Sequence, residues 1–206
     1  KELKGLLPRV VTPAGGVWTR AELLQYIENA YYNWDIPPEF VLLLGDTELV
    51  PTGGGEPRTD NIYAAVEGDD YLLDILVGRI PADDSDECRL MLAKSMAYER
   101  PWLHDDSEWP TSATLIVRQD YDHSDPVYYG NTWFAYDLMS QAGFSPIDTL
   151  FSRNSSDASD VYASLAQGRG FLNYRGVSGA FWIEPFQVLP WLTAPRWELP
   201  IVVSAT

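Results

Sequence analysis

Three short runs, Ala113-Thr-Leu-Ile-Val117, Ile147-Asp-Thr-Leu-Phe151 and Gly170-Phe-Leu-Asn-Tyr174, alternate with two longer stretches of helical character, about Tyr128–Ala142 and Asp157–Gln167. Each run is apolar enough for a strand and too short for a helix, and each intervening stretch has the length of one crossover helix. Strands joined in this way pair most readily side by side in one direction, because a parallel connection needs a crossover. The alternation predicts an α/β fold with a mostly parallel sheet flanked by helices. In such a sheet the loops at the carboxyl ends of the strands carry ligand or catalytic groups.

The pattern extends in both directions. Toward the N-terminus, Phe40-Val-Leu-Leu-Leu44 is a continuous apolar run ended by Gly45-Asp46, which reads as a strand buried on both faces. Before it, Thr19-Arg-Ala-Glu22 has capping-box spacing, and Leu23, Leu24, Ile27, Ala30 and Tyr31 fall on one helical face. A helix of about 15 residues is expected there, stopped by Pro37-Pro38. Val50 to Asn61 reads as a loop, Tyr71 to Ile80 as a strand closed by Pro81, and Asp84 with Glu87 as the start of a helix running to about Arg100. Leu199 to Ser204 is the last strand. Between Pro101 and Pro110 the composition turns to Trp, Pro, His and acidic residues, which predicts two sub-domains, 1–104 and 105–206. The last strand runs to the end at Thr206, where an α/β protein normally carries a functional loop and another helix, so the second sub-domain is expected to be incomplete and the fold truncated at its C-terminus.

The 206 residues are 46% apolar and 21% charged, enough for a substantial core and unlike a disordered or collagen-like chain. No apolar run reaches the roughly 20 residues of a membrane span, and the start at Lys1 lacks a signal-peptide layout. Fourteen Lys and Arg against 30 Asp and Glu give a net charge of −16, which repels a phosphate backbone and argues against nucleic acid as a partner. The acids cluster, as in Glu67-Gly-Asp69-Asp70, Asp83-Asp84-Ser-Asp86-Glu87, Asp105-Asp106 and Asp120-Tyr-Asp122. Such clusters are either oxygen-ligand sites for a cation such as calcium or solvated acidic faces. One cysteine, Cys88, allows no internal disulfide and reads as a buried structural thiol on a helix.

Few motifs point to a specific chemistry. His104 and His123 are the only histidines, no cysteine pair exists, and no His-Glu-x-x-His or phosphate-loop motif is present, which excludes the common zinc and nucleotide sites. Gly176-Val-Ser178-Gly-Ala180 is one residue short of a nucleophile elbow, but Ala closes it and no His follows Ser178, so a strand-exit turn is the simpler reading. His123, in Asp120-Tyr-Asp122-His-Ser-Asp125, is either an acid–base group raised in pKa by its carboxylate neighbours or an exposed His in an acidic loop. Asp120, Asp122 and Asp125 are the alternative there as cation ligands.

Several segments, taken in order, resemble the catalytic domain of gingipain-type cysteine peptidases, secreted bacterial proteases of caspase-like fold. They are Phe40–Asp46, Thr59-Asp-Asn-Ile-Tyr-Ala64, Gly68-Asp69-Asp70, Asp74-Ile-Leu-Val-Gly-Arg-Ile-Pro81, the helix ending Tyr98-Glu-Arg100, Phe171-Leu-Asn-Tyr-Arg-Gly176 and Leu199-Pro-Ile-Val-Val-Ser204. The resemblance spans about residues 20 to 206. It implies a three-layer fold, and a dyad in which a His follows the Asn-Tyr-x-Gly strand exit and a Cys follows the last strand. The imidazole takes or returns a proton while the thiolate attacks a peptide carbonyl, and a carboxylate orients the imidazole. Here Val177 holds the His position, the Cys position falls about one residue beyond Thr206, and Asp120 lies near the position of the orienting carboxylate.

Two readings of function follow. One is a cysteine endopeptidase domain that acts in its parent polypeptide and is inactive as isolated, with His123 as the base that would replace the missing His. The other is a non-catalytic binding or structural module on the bacterial surface, with Tyr174, Phe181, Trp182 and Trp191 as an aromatic peptide cleft. Under both, the ligand is a peptide or protein, the remainder of the parent polypeptide is a partner, and the location is secreted or cell-surface. The resemblance also implies structural calcium, for which Asp69, Asp70, Asp120, Asp122 and Asp125 are the candidates.

Overall fold

The computed structural model describes residues 5–53, 59–68, 70, 72–100, 108–177, 182–187 and 197–205. Its elements are α1 (Arg20–Asn33), β1 (Phe40–Leu44), β2 (Leu76–Ile80), α2 (Ser85–Tyr98), β3 (Ala113–Val117), α3 (Asp125–Gln141), β4 (Ile147–Phe151), α4 (Ala158–Ala166), β5 (Phe171–Arg175) and β6 (Ile201–Ala205). Every strand pairing among them is parallel, as the alternation predicts. The chain divides into two compact units, Lys1–Ala93 and Lys94–Thr206. The boundary expected at 104/105 lies outside the described residues.

In the first unit, β1 and β2 form a two-stranded sheet. The capping box of α1 is present: Glu22 N donates to Thr19 Oγ1 at 3.2 Å, and Thr19 N donates to Glu22 Oε2 at 3.0 Å. Leu23 and Ile27 of α1 then bury against Leu43, Val50, Tyr63 and Ile75. β1 departs from the expectation of burial on both faces. Leu43 is buried, whereas Phe40, Leu42, Leu44 and the neighbouring Leu76 are exposed. Successive strand residues point to opposite faces, and α1 covers only one of them. β2 is also shorter than expected, because Val66 N and Glu67 N donate to Asp74 Oδ2 and fold the preceding segment into a turn. Arg79 of β2 ties this unit together. Its Nε and Nη2 grip Asp60 at 2.8 and 2.7 Å, while Nη1 donates to the carbonyls of Gly45 and Val50. Thus Asp60 and Arg79, both within the segments that carry the family resemblance, act as one brace for the loop after β1.

The second unit holds a four-stranded sheet in the order β4-β3-β5-β6. Adjacent residues of β3 face opposite layers. Ile116 packs with Val161 of α4, Leu172, Tyr174 and Phe186, and Val117 packs with Tyr129 of α3 and Phe151. α3 and α4 therefore cover opposite faces, which gives three layers. From β3 the chain adds β4 on one side and then β5 on the other, so a crevice opens outside the carboxyl ends of β3 and β5. No helix among the described residues is long and apolar enough to cross a membrane.

Candidate functional site

At the carboxyl end of the sheet, Arg118 N donates to Arg175 O at 2.9 Å and extends the β3–β5 ladder by one residue. The two chains then separate. After β5 comes Gly176 at φ +150°, where an added Cβ would lie 2.7 Å from Arg118 Cβ, so only glycine fits this close approach. After β3 the chain turns through Tyr121 at φ +60°. Asp125, the first residue of α3, holds that turn by accepting Asp120 N at 2.7 Å and Tyr121 N at 3.0 Å. Its position at the helix start also suits a negative charge.

The turn aims Asp120 across the gap between the strand ends. The Asp120 side chain is 4% exposed, its Oδ2 accepts Val177 N at 2.8 Å, and its Oδ1 lies against the Arg118 guanidinium. Arg118 Nε in turn donates to Glu184 O at 2.8 Å. On the α4 face, the buried Tyr174 hydroxyl donates to Val177 O at 2.8 Å. Burial pushes the Tyr174 phenol above its ordinary pKa, with Arg118 opposing. Trp182 stacks on that ring at 4.4 Å, 10° from parallel, and its Nε1 donates to Ser204 Oγ of β6 at 3.0 Å. Both backbone groups of Val177 are therefore held, while the residue is 45% exposed. The geometry presents whatever side chain stands at position 177 to solvent beside a buried carboxylate, and valine there offers no proton chemistry.

The Asp120 carboxylate and the Val177 backbone thus meet. His123 is not drawn into this group: it is exposed and makes no hydrogen bond or ion pair with Asp120 or Val177. Its neighbour Asp122 accepts the hydroxyl and backbone N–H of Ser124, and these bonds, helped by His123, hold its carboxyl below the usual range. Tyr174 is a core residue rather than a cleft wall, since its ring is wholly buried, and Trp182 covers it. Cys88 is half-buried on α2 rather than buried.

The described carboxylates named as calcium ligands each accept a hydrogen bond from the backbone. Asp120, Asp122 and Asp125 accept the backbone donors given above, and Asp70 is exposed and accepts Leu72 N at 2.9 Å. Among the described residues no group of three acidic, His or Cys side chains is gathered to hold a metal ion. Asp69, His104, Asp105, Asp106, Ser178, Phe181, Trp191 and Thr206 lie outside the described residues. Arg118 and Ser204 are site residues that spacing alone did not single out. For Arg118 the available signal was a cation directly after a core strand in an acid-rich chain.

A parallel sheet between two helical layers, with its crevice at the carboxyl ends of β3 and β5, is a three-layer α/β scaffold of caspase-like fold. The chain matches the model of peptidase family C25 over residues 10–206 and belongs to that family. It is 26% identical over 176 residues to Lys-gingipain of Porphyromonas gingivalis, covering 81% of this chain and 10% of that protein. Lys-gingipain W83 of the same organism is 25% identical over 178 residues. The chain therefore spans about a tenth of the length of these relatives. Its fold matches the Arg-specific cysteine proteinase gingipain R with a TM-score of 0.75 at 17% identity, over 90% of this chain and 45% of that one. A further solved protease gives a TM-score of 0.78 at 21% identity, over 94% and 44%.

Proposed function

We propose that this chain is part of a gingipain-like cysteine endopeptidase domain, with a peptide as ligand, in a secreted or cell-surface bacterial protein whose remaining polypeptide completes the site. The observation that carries this reading is the buried Asp120 carboxylate, aimed at the strand exit where family resemblance expects the dyad His. As isolated, the chain should not hydrolyse peptides. Its one thiol sits on α2, Val177 replaces the imidazole, and His123 lies outside the Asp120 group. Loss of a general base alone lowers rates by about 10² to 10⁴. The test is hydrolysis of a fluorogenic peptide library by the intact parent and by this chain, with and without iodoacetamide. Turnover by the parent that iodoacetamide abolishes, with none by the chain, is the expected result; undiminished turnover after complete alkylation would reject the cysteine mechanism.

A second reading, a non-catalytic binding module, is favoured by one observation. Both Asp120 oxygens already have partners, Val177 N and Arg118, so the carboxylate serves as a brace in this state. Absence of turnover by the intact parent, together with peptide binding, would select it.

A further inference from the structure

Acids outnumber bases 30 to 14 in this chain, yet not every arginine of the second unit meets one. Arg79, Arg89, Arg118 and Arg169 each meet an aspartate. Arg153 and Arg175 do not. Arg175 ends β5, two residues before Val177, with its guanidinium carbon 4.9 Å from the centre of the Tyr128 ring. Its Nε is buried and has no acceptor. Arg153 follows β4 and lies 3.9 Å over the ring of Tyr129. Both are thus held on the α3 face of the sheet, at the carboxyl ends of strands that flank β3, by adjacent tyrosines of one helix.

A buried N–H without an acceptor is costly, and a guanidinium that meets no carboxylate keeps its capacity to bind one. A guanidinium held over an aromatic ring keeps its planar donor fork, which matches a carboxylate through two parallel bonds. We propose that Arg175, assisted by Arg153, is a recognition site for the carboxylate of a bound peptide, so that the site selects an acidic peptide. This rests on the peptide-ligand reading above and names its substrate class. The carboxylate is supplied either by an Asp or Glu side chain or by a peptide C-terminus.

The experiment uses the whole chain and labelled hexapeptides that differ at one central position, Asp, Asn or Lys, each capped at both ends, with a fourth Asn peptide carrying a free C-terminus. Fluorescence anisotropy gives the affinities, and nitrogen-15 spectra follow the Arg175 Nε–H. The expected result is that a carboxylate peptide binds at least about tenfold more tightly than the capped Asn peptide and shifts the Arg175 Nε–H signal. Preference for the capped Asp peptide identifies a side chain, and preference for the uncapped Asn peptide identifies a C-terminus. Arg175→Lys, which keeps the charge and loses the fork, should remove most of that preference while the far-ultraviolet circular dichroism stays that of the folded chain, and Arg153→Met should weaken it partially. Equal binding of Asp and Asn peptides, or preference for Lys, overturns the carboxylate site while leaving the peptidase reading intact, because turnover by the parent tests that reading separately. Binding by none of the four overturns both the site and the peptide ligand of this chain.

Discussion

Val177 is fastened by its backbone and open at its side chain, and Asp120 accounts for half of that arrangement. Removing this carboxylate would leave the Val177 N–H without its acceptor and the largely buried Arg118 without its counter-charge. Asp120→Ala should therefore destabilise the chain by about 2–4 kcal/mol, seen as a lower urea midpoint at unchanged slope. Arg118→Met combined with Asp120→Ala should lose less than the sum of the two single changes, since the double variant buries no unpaired charge. Strict additivity in this cycle would show that the pair does not act as a unit. Of these residues, sequence position disclosed Asp120, because it lies just past an evident strand. It did not disclose that Asp125 is the group that aims it, because a carboxylate bonding backwards to a turn looks the same in sequence as one that faces solvent or a cation.

Elements were legible where several local signals agreed. The bounds of β3 and β4 fall where the apolar runs predict, each run starting shortly after a proline, Pro110 and Pro146. α3 begins earlier than its apolar periodicity suggests, since Asp125 and Pro126 are good first-turn residues although neither carries the apolar face. The exposed face of β1 was illegible for a different reason: Phe40-Val-Leu-Leu-Leu44 has no alternation from which to read which face is covered. α4 shows capping strength at its plainest. Asp157 accepts the hydroxyl and N–H of Ser159, and Asp160 returns a bond to Asp157 N at 3.0 Å. The Ser159 hydroxyl first and its N–H second lower the Asp157 pKa. A carboxyl depressed in the folded state adds stability that is present above its unfolded value, about 3.9, and is lost as pH falls through the lower folded value. Asp157→Asn, which keeps an acceptor without the charge, should flatten that acid limb and cost less at neutral pH than Asp157→Ala, as urea midpoints between pH 2 and 7 would show. An acid limb identical to that of the unchanged protein would remove Asp157 from the cause.

Across the whole molecule, each unit has its own core and each core contains a fully buried tyrosine. Tyr63 donates to Pro51 O at 2.5 Å, and Tyr174 donates to Val177 O. Burial is the main cause that raises both phenols, with Asp60 adding to it at Tyr63, while Arg20 and Arg79 oppose at Tyr63 and Arg118 at Tyr174. The sign is opposite to that of Asp157. A phenol raised in the folded state adds stability that is complete below its unfolded value of about 10 and disappears as pH rises through the folded one. Tyr63 and Tyr174, with the likewise raised Tyr31, Tyr98 and Tyr129, should then form a late-ionising group in absorbance near 295 nm, and the ionisation of the two core phenols should accompany loss of the near-ultraviolet circular dichroism. The chain already carries a net charge of −16, and each phenolate adds to that repulsion, so raising the salt concentration should shift the late step to higher pH. Tyr63→Phe and Tyr174→Phe each remove one ionisable phenol from one core, and each should shrink the late step without affecting the tyrosine in the other unit. Ionisation of all twelve in one transition near pH 10, with the folded dichroism retained, would show that neither phenol is sheltered and that the two cores do not limit alkaline stability.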